Sequence, residues 1–315
     1  MPFSAGLGGV SAWLAADTDE ASEEIAEWFA DFKDQPATPP TSGVFARVDD
    51  GPRPYLTLIL DSKIVDPSLM FAGPEWKRFT RIDNPNKHQY ADTSLGSEPM
   101  LEVRDDELIV LQPEYWSLYL FLAHAWLLLQ SRRLVGLHAA TAAVGDRALV
   151  LAGASGAGKS TLTLALQEAG AECYGDEWAF FRLPDHHLFP WPGRLHVRPG
   201  GIAALGAKPL GLWREHKPGD PKCEVELPKP ARPCPPDKAV LFFLDGFADK
   251  PQISEIGGAD TSRRLLQGIL YADPAAFARL EIAAELVNTY PCALVKVGKP
   301  AETAQKLIEY VRTLP

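Results

Sequence analysis

The chain has 315 residues, 46% of them apolar and 23% charged, a composition that supports a buried core in one large domain or two smaller ones. Its net charge of −10 argues against nucleic acid or an anionic membrane surface as the main partner. Four cysteines (Cys173, Cys223, Cys234 and Cys292) form no C-x-x-C pair, which points to neither a disulfide framework nor a zinc site.

The first ten residues, MPFSAGLGGV, lack basic residues and a long apolar run and do not read as a secretion signal. A reducing, ATP-containing cytoplasm is the simplest compartment. Residues 17–33 read as a helix, with Asp17 and Glu20 in a capping-box-like start. Ala21, Ile25, Trp28, Phe29 and Phe32 then form one apolar stripe, read as packing surface. A proline-rich break covers 34–43. Short strands are expected at 43–48, 55–60, 100–104 and 107–111, the last two joined as a hairpin through Arg104-Asp105-Asp106-Glu107. This first third reads as an α+β module, over residues 1–135, without recognisable chemistry.

Residues 114–133 are the most apolar stretch, yet Leu118 to Leu129 supplies only about a dozen apolar-rich residues against the ~20 needed to cross a bilayer. A buried linking helix is expected there, with His124 as a core histidine and no stable membrane insertion. His138 opens the next strand candidate, which turns at Gly145-Asp146 into the apolar run Ala148–Ala152.

That run ends in Gly153-Ala154-Ser155-Gly156-Ala157-Gly158-Lys159-Ser160, a match to G-x-x-x-x-G-K-[ST] at every defined position. Leu162, Leu166 and Ala169 then recur at helical spacing, and Gly170 stands where a left-handed C-cap belongs. Strand, glycine loop and helix together form a phosphate site. Glycines let backbone N–H groups approach phosphate oxygens, and the helix N-terminus adds partial positive charge. Lys159 is expected on the β/γ-phosphates and the Ser160 hydroxyl on Mg²⁺. Residues 153–161, Thr161 included, form the candidate nucleotide cradle for ATP.

A strand at 171–174 then leads into Gly175-Asp176-Glu177, where strand ends beside a phosphate loop collect reacting groups. Another strand is expected at 178–181. Pro184-Asp185-His186-His187 reads as a turn with solvent-exposed histidines lacking metal-ligand spacing. From 190 to 236 the chain is rich in Pro and Gly and carries Arg194, Arg198, Lys208, Arg214, Lys217, Lys222, Lys229 and Arg232. Arg198 is kept as a candidate phosphate contact; the rest are read as solvated loop cations. Val240–Leu244 is a buried strand closing on Asp245, a Walker-B-like form that many strands share.

Two helices are expected next. One starts near Asp260-Thr261 with Leu265, Leu266, Ile269 and Leu270 inside. The other has Asp273 as N-cap, Pro274 at N1, and Phe277, Leu280, Ala284 and Val287 on one face. A strand at 293–297 and a helix at 301–313, with Ala304, Leu307, Ile308 and Val311 as its stripe, close the chain.

His138 lies 21 residues before Lys159, and Asp176 and Glu177 lie 17 and 18 after it. With His138, Gly153–Ser160 and Gly170–Glu177 in this order, the sequence resembles the HPr serine kinase/phosphorylase family, including the shorter HPr-kinase-related proteins. The likeness covers about 136–315 and is specific over 138–177. It implies an α/β fold: a P-loop domain of the HPr kinase/PEP carboxykinase-like kind at 136–315, behind the N-terminal α+β module. It also implies transfer of the γ-phosphoryl of ATP to a serine or threonine hydroxyl of a protein or peptide. Position by position, Lys159 holds phosphates, Ser160 and Asp176 face Mg²⁺, Glu177 aligns with the general base, and His138 assists proton transfer. Which of the two acids is the base is left open.

The sequence departs from the family in three places. Glu177 stands where the family has Asp, His196 where the bifunctional enzymes carry a metal-binding Glu, and no arginine can be placed for the phosphorylase reaction. A small-molecule kinase or PEP-carboxykinase-like enzyme, and a non-catalytic nucleotide-binding regulator, are the alternatives. An ABC-type ATPase is disfavoured by the lack of an L-S-G-G-Q-like stretch. The sequence leaves the choice between monomer and homo-oligomer open.

Overall fold

The computed structural model describes the backbone of eight strands within residues 1–133 and, apart from 183–184, 207–210, 216–218 and 272–275, residues 134–315. The fold is mixed α/β, with several sheets and few helices. The chain divides into two compact units, Met1–Leu134 and Val135–Pro315.

In the first unit, β1 (Phe3–Leu7) and β2 (Val10–Leu14) pair as an antiparallel hairpin. A six-stranded antiparallel sheet holds β3 (Phe45–Asp49), β4 (Tyr55–Ile59), β5 (Phe79–Asn84), β6 (Lys87–Asp92), β7 (Leu101–Arg104) and β8 (Glu107–Val110). Its spatial order is β3-β4-β8-β7-β6-β5. Arg104 pairs with Glu107 where β7 and β8 run antiparallel, the pairing expected of these two strands. β1, β2, β5 and β6 carry no strand signal strong enough to have been read from sequence. The helices expected at 17–33 and 114–133 lie outside the described residues.

The second unit is built on a sheet of order β12-β10-β11-β18-β21-β19. Its strands are β10 (Ala139–Val144), β11 (Arg147–Ala152), β12 (Glu172–Gly175), β18 (Ala239–Phe247), β19 (Gln252–Glu255) and β21 (Cys292–Val297). β11, β18 and β21 are parallel neighbours, while β10 runs antiparallel to both β11 and β12. The start of β10 and the ends of β11, β12 and β18 therefore fall at one edge of the sheet. His138, the glycine loop with Lys159 and Ser160, and the pair Asp176-Glu177 all come from that edge or its loops.

Both faces of this sheet are buried, which is why its central strands read as unbroken apolar runs. Leu149 and Leu151 of β11 and Val240 and Phe242 of β18 pack one way. They meet Leu162 and Leu166 of α1 (Lys159–Glu168) and Leu307, Ile308 and Val311 of α5 (Pro300–Thr313). Val150, Leu241 and Phe243 pack the other way, against Leu265 of α3 (Gly258–Gly268) and Ala283 and Leu286 of α4 (Ala276–Thr289).

Helix α1 stops by chain geometry. Gly170 takes φ +91°, its N–H donates to Gln167 O at 2.9 Å, and Ala171 N–H donates to Leu166 O at 2.9 Å. These two bonds are the paired closures of a Schellman motif. A second, four-stranded sheet, of order β14-β13-β9-β20, holds β9 (Leu134–Leu137), β13 (Ala179–Arg182), β14 (Leu188–Pro190) and β20 (Ile269–Tyr271).

The structure corrects four expectations. The 190–236 region is no plain loop: β15 (Leu195–Val197), β16 (Leu212–Glu215) and β17 (Pro221–Val225) form a three-stranded sheet, with the short α2 (Pro199–Ala204) between β15 and β16. Its sparse apolar content hid it, because only one face is buried, through Leu195, Val197, Cys223 and Val225. Ile269 and Leu270 belong to strand β20 rather than to α3, which ends at Gly268. On α4, Leu280 is 50% exposed and Ala284 is exposed; the buried face runs through Ala283, Leu286 and the following Tyr290, with Val287 of the expected stripe packed beside them and the Phe277 side chain outside the described residues. His186 is not solvent-exposed: its side chain is 15% accessible and its Nε2 lies 3.6 Å from Glu285. Asp273 and Pro274 lie outside the described residues.

Two glycines separate backbone strain from crowding. Gly170→Ala meets no atom within 4 Å and suffers only from its φ, so about 1–2 kcal/mol of stability should be lost. At Gly175 a Cβ would lie 2.1 Å from the Trp191 carbonyl oxygen. Gly175→Ala should therefore lower the denaturation midpoint clearly more than Gly170→Ala, in urea melts of the two variants against wild type.

Candidate functional site

The glycine loop leaves β11 and enters α1 at Gly158. Gly156 and Gly158 take φ +84° and +99°, conformations that a side chain would strain. At Gly153 the constraint is space, since a Cβ would stand 3.1 Å from those of Ala157 and Leu244. Ala154, Ser155 and Gly156 are exposed, while Ala157 packs on the core beneath. Lys159 is buried, and its Nζ donates to Gly153 O at 2.8 Å and Ala154 O at 3.4 Å. The ammonium is folded back over the loop it would serve.

Thr161 turns its hydroxyl toward α2, where a Cβ on Gly201 would meet it at 2.3 Å. Arg198 precedes α2 and reaches the loop: a Cβ on Gly156 would lie 3.4 Å from its Nη1. Its Nε is also 3.1 Å from Asp220.

Asp176 and Glu177 follow β12 at the same sheet edge, with His138 just before β10. Asp176 is 4% exposed, and the Ser160 side chain lies close enough to favour its charged form. Burial, then the neighbouring charge of Glu177, push the Asp176 carboxyl above the usual range. Its Oδ1 is buried without a hydrogen-bond partner. Glu177 is more open, with 35% of its side chain accessible. Burial opposes its charge as well, but a hydrogen bond from His196 and the charges of His196, His138 and Lys222 win and hold it below the usual range.

His196 Nδ1 lies 3.3 Å from Glu177 Oε1, and its Nε2 lies 3.8 Å from Glu224 Oε1. Burial works against a charged His196, yet Glu177 and Asp176 outweigh it and raise its pKa. His138 Nε2 is 3.9 Å from Glu177 Oε2. Burial and the positive charge of Lys159 lower His138 to about 4, so this imidazole is neutral near pH 7.

The structure thus brings Lys159, Ser160, Asp176, Glu177 and His138 into one neighbourhood. It adds two residues. His196, noted in the sequence only as a departure, is directly opposite Glu224 across the β15–β17 pair and joins the acids. Lys222, read as a solvated loop cation, is half-buried on β17 and acts electrostatically on His138, Lys159, Glu177 and His196. The alternations Leu195-His196-Val197 and Lys222-Cys223-Glu224-Val225 were the available signals for the two. Asp245 is taken up by Arg264 at 3.0 Å and Lys296 at 2.8 Å.

Asp176, Glu177 and His196 each offer a ligand atom within 4.8 Å of the others. With the Ser160 hydroxyl, the donor set is dominated by oxygen, and Asp176 Oδ1 stands unpartnered within it. That set fits a hard divalent cation such as Mg²⁺. Among the described residues, no helix is long and apolar enough to cross a membrane. A scan against protein-family models finds no match, and a search of curated proteins finds none.

A buried carboxylate beside a second one destabilises the ligand-free chain. Asp176→Asn keeps the shape and lets an amide N–H face Glu177, so it should raise stability by about 1 kcal/mol without ligand. The same variant should lose the extra stability that wild type gains from Mg²⁺ and ATP, both effects being read in thermal melts with and without the pair.

Proposed function

We propose that the Val135–Pro315 unit is an ATP-dependent phosphotransferase with a P-loop of the HPr-kinase-like kind, transferring a phosphoryl group to a serine or threonine hydroxyl of a protein or peptide. The observation that carries this reading is the closeness of the acids after β12 to Lys159 and Ser160 at the start of the glycine-loop helix, where each feels the other's charge. A glycine loop alone serves many nucleotide-binding proteins. A loop whose lysine and serine adjoin a buried carboxylate, with a second, more open carboxylate beside it, has the parts that phosphoryl transfer requires.

Each residue then has a task. Backbone N–H groups of 153–160 and the Lys159 ammonium cradle the phosphates, and Arg198 borders the loop at Gly156. Ser160 and Asp176 would hold Mg²⁺, which when bound neutralises charge on the β- and γ-phosphates. Glu177, the more exposed acid, faces the acceptor and orients its hydroxyl. The acceptor oxygen bonds to the γ-phosphorus, the bond from phosphorus to the bridging oxygen breaks, and ADP leaves with that electron pair. The hydroxyl proton passes to Glu177, with neutral His138 close enough to relay it.

A low-pKa Glu177 is a weak proton acceptor, so its main contribution is positioning, as suits a loose transition state in which the proton moves late. His196 and Lys222 keep it charged for that purpose.

With γ-labelled ATP, Mg²⁺ and a cell lysate, the wild-type chain should label a protein or peptide band, and Lys159→Ala should label none. Glu177→Gln should bind ATP normally and transfer roughly 10²–10⁴ times more slowly. Unchanged transfer by Glu177→Gln would reject its role. His138→Ala should lose activity while melting within a few degrees of wild type, whereas a collapsed melt would make that histidine structural.

A further inference from the structure

Phe247 is 68% exposed, although it ends a strand whose residues Ala239 to Leu244 are all buried. Its position is set by a bulge. Leu244 pairs with Val295 and Phe247 with Val297, so β18 carries one extra residue over this step. Gly246 takes φ +82° within it, and Ala248 N–H donates to Val297 O at 2.9 Å, which fixes the backbone just past the ring. The ring is aimed at the glycine loop: a Cβ on Gly158 would meet Phe247 Cε1 at 3.8 Å and Cζ at 4.0 Å.

Strand order gives this placement meaning. β12, with Asp176 and Glu177, lies on one side of β11, and β18, with Phe247, lies on the other. A nucleotide cradled by the loop with its reacting phosphate toward the acids has its nucleoside on the β18 side. There it meets a flat, solvent-facing aromatic surface. Asp245, the nearest carboxylate along β18, is paired with Arg264 and Lys296, so it does not oppose an approaching anion.

We infer that Phe247 is the nucleobase platform of the site, a positioning residue on which a purine ring stacks while the loop holds the phosphates. This rests on the nucleotide-binding reading above and extends it from the phosphates to the base. Aromatic–base stacking is strong enough to matter in binding and tolerant of base identity.

The test is calorimetric titration of the full chain, in Mg²⁺, with ATP and separately with inorganic tripolyphosphate. Phe247→Ala should weaken ATP roughly 5- to 100-fold and leave tripolyphosphate unchanged, and Phe247→Tyr should restore ATP affinity. Lys159→Ala should weaken both ligands. The platform is overturned if Phe247→Ala binds ATP within about twofold of wild type, or if it loses both ligands equally, which would mean that the ring merely props the loop. Wild-type binding of tripolyphosphate as tightly as ATP would also remove the platform while leaving the phosphate site intact. If wild type binds neither, the nucleotide reading fails and the platform with it.

Discussion

Two carboxylates on consecutive residues, one of them almost wholly buried, are the constraint around which the second unit is arranged. Placing Asp176 and Glu177 at the end of β12 costs free energy twice, through desolvation and through mutual repulsion. The surroundings offset part of that cost. Lys159 comes from the glycine loop and His196 and Lys222 from the sheet of β15 and β17, while His138, neutral near pH 7, arrives from the start of β10. Four separate chain segments converge on the acids, and compensation stays incomplete at Asp176 Oδ1. An unpaired buried oxygen beside the loop serine is a local violation of polar satisfaction of the kind that sites for cations and phosphates tolerate.

The central sheet makes that convergence possible. Because β10 runs against both β11 and β12, a histidine before one strand and acids after another arrive at one edge. Packing on both faces leaves the edge as the place where loops can carry polar groups without disturbing the core. Helices α1 and α5 on one face and α3 and α4 on the other hold β11 and β18 in register, and the glycine loop inherits its position from β11. The crowded glycines belong to the same design. Gly153 lets the loop pass Leu244, and Gly175 lets the acid-bearing turn pass the Trp191 backbone.

The small sheet of β15, β16 and β17 gives the site its asymmetry. Its apolar face, Leu195, Val197, Cys223 and Val225, is buried with Leu164 of α1, so its polar face turns His196, Lys222 and Glu224 toward the acids. Asp176 is thereby enclosed while Glu177 keeps a third of its surface, and the two carboxylates acquire different environments from one dipeptide. On the far side of the loop, the bulge before Phe247 turns a core strand outward. The loop is thus flanked by charge on one side and by an aromatic surface on the other.

Local sequence determined the elements whose signal is carried by neighbouring residues. The apolar runs of β11, β18 and β21, the glycine loop, the C-terminal stop at Gly170 and the stripe of α5 all follow from short-range pattern and turn chemistry. It also named Lys159 and Ser160 through the loop motif, while Asp176, Glu177 and His138 were picked out by the resemblance that the segment 138–177 carries. Strands with one exposed face, such as β15 and β17, were lost in a proline- and glycine-rich stretch whose apolar residues are too few to announce a sheet. The buried face of α4 was misread at Leu280 and Ala284 because its partners lie on strands distant in sequence. Only tertiary structure could bring His196 and Lys222 to the acids, distinguish the buried Asp176 from the open Glu177, and set Phe247 against Gly158. These are decided by pairing and burial between segments up to 89 residues apart in the chain, which no local pattern encodes.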